Sequence, residues 1–179
     1  MTNPDLAKQM LAQTRHSLER HHLPRIERCL AMLTDREIWW RPHATSNSIG
    51  NLVLHLAGNV RQWIIAGLGG APDRRERDQE FRARGPIPRR PLQAQLRKTV
   101  KEACGVIGRL TVQDLQQVHL IQGFRVSGFE ALQHVTEHFA YHTGQIILIT
   151  KMKRRKDLGF TRLPGDKRAG QGAGNLPTL

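Results

Sequence analysis

Apolar side chains return at three- and four-residue intervals along almost the whole chain, and no strict two-residue alternation is sustained. The first such run spans about Pro4 to Leu33. There Leu11, Leu18, Leu23, Ile26, Leu30 and Leu33 make an apolar stripe, with Pro24 as a candidate kink. Thr34 and Asp35 can cap a short turn carrying Trp39 and Trp40, which Arg41-Pro42 ends. After the polar link HATSN, with Ser46, Asn47 or Ser48 as N-cap, a second helix is expected to about Leu68, where Gly69-Gly70 stops it. Residues 71–89 read as a long charged loop broken by Pro72, Gly85, Pro86 and Pro88. A third helix covers about Arg90 to Leu110, on Leu92, Leu96, Val100, Cys104 and Ile107. Residues 111–128 read as an irregular link, with VHLIQGFRV as a candidate extended stretch. Ser127 or Gly128 then caps a fourth helix that runs to about Lys153. Four long helices in one small domain predict an all-α, antiparallel four-helix bundle over residues 1–153. A basic, Gly/Pro-rich C-terminal tail over 154–179 follows it.

Composition narrows the class without naming a function. With 179 residues, 39% of them apolar and 24% charged, the chain is ordinary for a globular domain with a real core. It holds no apolar run long enough to span a bilayer, so no membrane partner is expected. The start, MTNPDLAKQM, lacks both the basic region and the apolar core of a secretory signal. Cys29 and Cys104, far apart and outside any CxxC motif, read as reduced helical residues of a cytoplasmic protein. The formal charge of +13 gathers in RRERDQEFRARGPIPRR, at 74–90, and in KMKRRK, at 151–156, with Lys167 and Arg168 beyond. Acidic residues interrupt the first segment, no aromatics interleave either, and no nucleic-acid-binding signature accompanies them. The charge therefore reads first as a solvated loop and tail, and nucleic acid is a disfavoured partner.

Chemistry concentrates in HVTEHFAYHTGQ, where His134, His138 and His142 follow one another at four-residue spacing. At 100° per residue they fan over only about 80° of the helix. The mean direction of Ala131, Val135, Phe139, Ile146 and Ile149 lies roughly 25° from His142, about 65° from His138 and about 105° from His134. His142 thus points inward, His138 lies at the margin, and His134 is closest to solvent. An i, i+4 pair offers two imidazoles to one ion, and a third ligand must come from another helix. His55 sits at the edge of the apolar stripe of SIGNLVLHLAGNVRQWIIAGL, in a matching position. His16, His21, His22, His43 and His119 lie in charged stretches or links and carry no such pattern. The residues alone leave two readings open, a metal site from His55, His138 and His142, or histidines satisfied within the core.

Taken together, SIGNLVLHLAGNVRQW, RDQEF and HVTEHFAYHTGQI resemble the DinB-like family, and within it a small branch related to YfiT-type metal-dependent proteins. The likeness covers about residues 5–153. It implies a four-helix bundle, commonly a homodimer, with a divalent ion, zinc or nickel, held by one histidine of the second helix and an HxxxH pair of the fourth. Those positions are His55, His138 and His142 here; His134 has no role in the pattern and is expected at most to support the ligands, line a pocket or lie at the surface. Relatives of known activity use low-molecular-weight thiols, such as bacillithiol or mycothiol, in transferases and isomerases.

Three neutral imidazoles leave a coordination position open, as catalytic rather than structural zinc sites do. The expected function is a metal-dependent enzyme that activates a thiol, or water, for transfer to a small electrophilic substrate. The alternative is a non-catalytic, stress-related metal-binding protein whose basic segments meet nucleic acid or another polyanion. Gln145, Asn51 and Asn59 are candidates to orient imidazoles or substrate, and Trp39 with Trp40 could line a pocket mouth. Trp63 is expected in the core, and Glu137 projects away from the histidine face.

Overall fold

A computed structural model describes residues 4–161. The first helical run is continuous but changes pitch twice: α1 (Pro4–Arg15), a π-helical segment (His16–His22), then α2 (Leu23–Ala31). The Leu23 amide reaches the Leu18 carbonyl, five residues back. Pro24, which has no amide hydrogen, falls in the first turn of α2, directly after this wider turn. The expected kink is thus absorbed in a π-helical segment that spares the proline an i→i−4 bond it cannot make. A capping box from Thr34 and Glu37 starts the short α3 (Asp35–Ile38).

Ser48 caps α4 (Ile49–Val60) in a second capping box with Asn51, and the helix continues as a π-helical segment, Arg61–Ala66. Gly70, at φ 72°, closes it by donating its amide N–H to the Ala66 carbonyl, the left-handed stop expected of Gly69-Gly70. The stretch expected as a loop contains α5 (Arg77–Arg82), which packs on α4. Next come α6 (Arg89–Ile107) and α7 (Val112–Gln116). The extended stretch proves to be a hairpin of β1 (Val118–Ile121) and β2 (Phe124–Ser127), antiparallel with Ile121 opposite Phe124. Gln122 and Gly123 both have positive φ, the two-residue I′ turn that matches strand twist. Ser127 caps α8 (Gly128–Arg154), so the hairpin runs straight into the last helix.

These elements make a mostly helical fold. Helix α4 packs against α6 and α8, and α2 packs against the same two. Leu18, Ile26 and Leu30 meet Leu52, Leu56, Leu92, Leu96, Ile107 and Phe139 in one core, all essentially without solvent contact. Past α8 the chain returns to this core: Leu158 is buried, and Phe160 packs on it beneath the Arg28 guanidinium, 5.0 Å from the ring centroid. Lys167 and Arg168 lie outside the described residues. Among those described, no helix is long and apolar enough to cross a membrane.

The central position of α4 sets an expectation for stability. Leu56→Ala should cost about 2–5 kcal/mol in chemical denaturation, because Leu56 is fully buried. Leu120→Ser, on the outer face of the hairpin, should stay within about 0.5 kcal/mol.

Candidate functional site

Helices α4 and α8 face each other, α4 carrying His55 and α8 carrying His134, His138 and His142. His55 Nε2 lies 3.0 Å from His138 Nε2, which lies 3.2 Å from His142 Nε2. His55 and His142 are buried and His138 is half-buried, and ligand atoms from all three lie within 4.8 Å of one another. The three residues singled out from the sequence therefore do meet.

The other ring nitrogens decide what this cluster can do. His55 Nδ1 is 2.8 Å from Glu80 Oε2 and 3.1 Å from Arg75 Nη2. Arg75 donates to both oxygens of Glu80, at 2.8 Å each, and the two side chains are 4% and 11% exposed. Burial works to raise the Glu80 carboxyl, but the hydrogen bonds from Arg75 and His55 outweigh it and hold the group below the usual carboxylate range. An ionised carboxylate only accepts, and a guanidinium only donates. His55 must therefore carry its proton on Nδ1 and donate to Glu80, and its contact with Arg75 is not a hydrogen bond. His142 Nδ1 likewise donates to Gln145 Oε1, at 2.7 Å. Both Nε2 atoms are left with lone pairs, and both are aimed at His138.

His138 can carry at most one proton on Nε2, so it can satisfy one of these neighbours and not both. Its Nδ1 is buried without a partner among the described residues. Each buried polar atom left unpaired costs about 1–3 kcal/mol. A cation that accepts three lone pairs resolves the conflict. Tetrahedral zinc places its imidazole nitrogens about 3.3 Å apart, within a few tenths of an ångström of the His55–His138 and His138–His142 spacings, with all three ligand atoms inside 4.8 Å of one another. The residues present fit such an ion.

Several elements hold this arrangement. Asn51 donates from Nδ2 to the carbonyls of Glu80 and Ala83, at 2.8 and 2.9 Å, while its Oδ1 accepts from Ser48 and Arg41. None of these hydrogen bonds goes to an imidazole; they fasten α5, which carries Glu80, and the residue after it to the start of α4. Gly58 lets α5 come close, since a Cβ there would overlap Glu80 Oε1. His134 is half-buried rather than turned to solvent. Its ring stacks on Trp63 at 3.9 Å, lies nearly parallel to His138 at 5.5 Å, and has Nε2 3.2 Å from Asn59 Nδ2. The wheel direction took account of α8 alone, whereas α4 and the hairpin bring a second packing surface to that side. Trp63 is buried as expected and also walls a cleft there, with Nε1 donating to Gln122 Oε1 at the hairpin tip.

Trp39 is not at that cleft. It packs on Gly50 and Gly85 and donates to the Ile87 carbonyl at 3.0 Å, because Gly50 leaves room for an indole against α4. Trp40 lies under Lys153. Glu137 is exposed and bonded by Gln133, clear of the cluster. Glu80 and Arg75 were missed as functional residues, since charged residues between prolines read as solvated loop. The signal was RDQEF, where Phe81 follows Glu80 and packs against the His55 ring, with centroids 4.6 Å apart.

The mostly helical fold is that of DinB-like proteins, as solved structures show. The chain is similar to a DinB-like protein of Bacillus cereus ATCC 10987, with 16% identity and a TM-score of 0.61 over 75% of this chain and 87% of that one. A DinB-like protein of Bacillus subtilis is similar at 18% identity and a TM-score of 0.61, over 84% and 95%. A conserved protein of Enterococcus faecalis is similar at 17% identity and a TM-score of 0.64, over 87% and 99%. The chain belongs to the DinB-like family described as "Protein of unknown function (DUF1572)", which matches residues 5–167. Comparison with curated proteins gives no match.

Electrostatics disfavour protonation of the α8 histidines. Burial, reinforced by His142, His55 and His134, pushes His138 down to about 3. Burial also lowers His134 and His142, the latter partly offset by Gln145. Elsewhere, burial takes His22 down to about 4. The unfolded chain takes up protons near pH 6.5 that these folded histidines refuse, so folded stability is full above that pH and falls below it. For chelator-treated protein, the urea midpoint should drop between pH 7.5 and pH 5. His138→Leu should show a smaller drop, and an equal one would contradict the depressed value.

Proposed function

We propose that His55, His138 and His142 hold a divalent cation, zinc or nickel, in a metal-dependent enzyme that transfers a low-molecular-weight thiol, or water, to a small electrophile bound in the adjoining cleft. The observation that carries this reading is the opposition of lone pairs at His138, enforced by Glu80 on one side and Gln145 on the other. When bound, such an ion supplies Lewis acidity that makes a thiol or water a nucleophile at neutral pH. All three protein donors are neutral imidazoles, a set that leaves one coordination position for a reactant.

The roles of the surrounding residues follow from their contacts. Glu80 fixes the tautomer and ring orientation of His55. It is no general base, because both its oxygens are already engaged by Arg75 and His55. Gln145 fixes His142 in the same way. The ring stack of Trp63 and His134 sets the plane against which His138 lies. The chain's own thiols do not compete as nucleophiles: Cys29 and Cys104 are buried, and burial raises each to about 11. A reacting thiol therefore arrives as a bound molecule.

Metal analysis of full-length protein purified without a histidine tag tests the reading. About one zinc or nickel per chain is expected, lost in His55→Ala and in His142→Ala. Folded wild-type protein that holds no metal in any preparation, and takes up none on addition, overturns it. Glu80→Gln should weaken metal affinity roughly 10–100-fold, measured by competition with a chromogenic chelator. Wild-type affinity in that variant would remove Glu80 from the centre.

A further inference from the structure

The cleft beside the histidines has a volume of about 430 Å³, within the range of small-molecule sites. Its lining divides into three parts of different chemistry. At its floor lies Asn59, only 3% exposed. The amide Nδ2 meets His134, while Oδ1 is buried with no partner among the described residues. Turning the amide over only exchanges the two ends, so one always stays open. As placed, the open end is a carbonyl, which asks for an N–H or O–H donor.

The second part is apolar. Trp63, Val126 and Phe124 wall the cleft, with Phe124 and Val126 on the same face of the hairpin. Phe124 nevertheless remains 60% exposed, a large aromatic surface left uncovered at the opening. The third part is cationic. Arg77 stands at the rim, exposed, its guanidinium 4.9 Å from the Phe81 centroid, and no carboxylate pairs with it among the described residues. Arg75, by contrast, is committed to Glu80. The one acid of the lining, Glu130, is engaged by the Ser127 amide and hydroxyl at 2.7 Å each.

We infer that this cleft selects a small organic anion bearing a flat apolar group and an N–H or O–H donor. The donor meets Asn59, the flat group lies against Phe124 and Val126, and the anion meets Arg77. Taking this molecule as the substrate of the histidine cluster rests on the function proposed above. Recognition in the cleft does not depend on it.

N-Benzoylglycine carries all three features and serves as the probe. N-Benzoylglycinamide lacks the anion, and O-benzoylglycolate replaces the N–H by an ester oxygen. Titration calorimetry on full-length protein, both chelator-treated and metal-loaded, should show N-benzoylglycine binding more tightly than either analogue. Arg77→Gln should weaken it about tenfold, as expected for the loss of one charge-assisted contact, and leave the amide unaffected. Phe124→Ala should weaken all three ligands. Both substitutions are at exposed side chains, so folding is preserved, as circular dichroism would verify. The inference is overturned if N-benzoylglycine does not bind at millimolar concentration in either state. It is equally overturned if Arg77→Gln binds it as wild type does, or if the ester binds as well as the amide acid. Arg77-dependent binding to protein that takes up no metal would uphold the cleft and sink the metal reading. Metal uptake without binding would do the reverse.

Discussion

A buried carboxylate shared between a guanidinium and an imidazole organises this protein's centre. Removing Glu80 and Arg75 from water is expensive for each alone, and it succeeds here because the pair is bidentate and His55 takes up remaining accepting capacity. Once that pair is in place, the proton of His55 has only one position, and its lone pair only one direction. The rest of the neighbourhood serves the same contact. Asn51 fastens the carbonyls of α5, Gly58 clears the space, and Gln62 accepts from Arg75 Nη1 at 2.9 Å.

The three central histidines are supported by three different kinds of force. His55 is oriented by charge, His142 by a neutral amide one turn further along its own helix, and His138 by ring packing against His134. Charge and amide both fix tautomers, whereas packing fixes only a plane. The histidine without a polar partner on Nδ1 is thus the one in the middle, where the conflict of lone pairs is greatest.

Much of this was legible in the sequence because helices declare themselves locally. The 3.6-residue period placed the long helices, the caps at Ser48 and Ser127 were readable as residue types, and the wheel singled out His55, His138 and His142. What escaped depends on partners distant along the chain. His134 looked outward because its packing partner, Trp63, lies on the π-helical continuation of α4. Trp39 looked like a pocket residue because nothing local reveals that Gly50 makes a seat for it. The segment 74–90 looked like solvated charge, since an ion pair that is buried and one that is exposed are spelled with the same letters. One arginine that composition credits to a basic surface has its side chain almost wholly withdrawn from solvent.

The hairpin carries a consequence of its own through its direct continuation into α8. The roof of the cleft and the helix bearing two of the three central histidines are one unbroken segment, joined at the Ser127 cap. Lengthening the chain at the Gln122-Gly123 turn would remodel the roof and leave the histidines where they are. A single residue inserted between Ser127 and His134 would rotate them all by about 100° relative to their cap. Within a few residues, the chain passes from a place where its choice of guest can be rewritten to one where the count of residues is itself a structural constant.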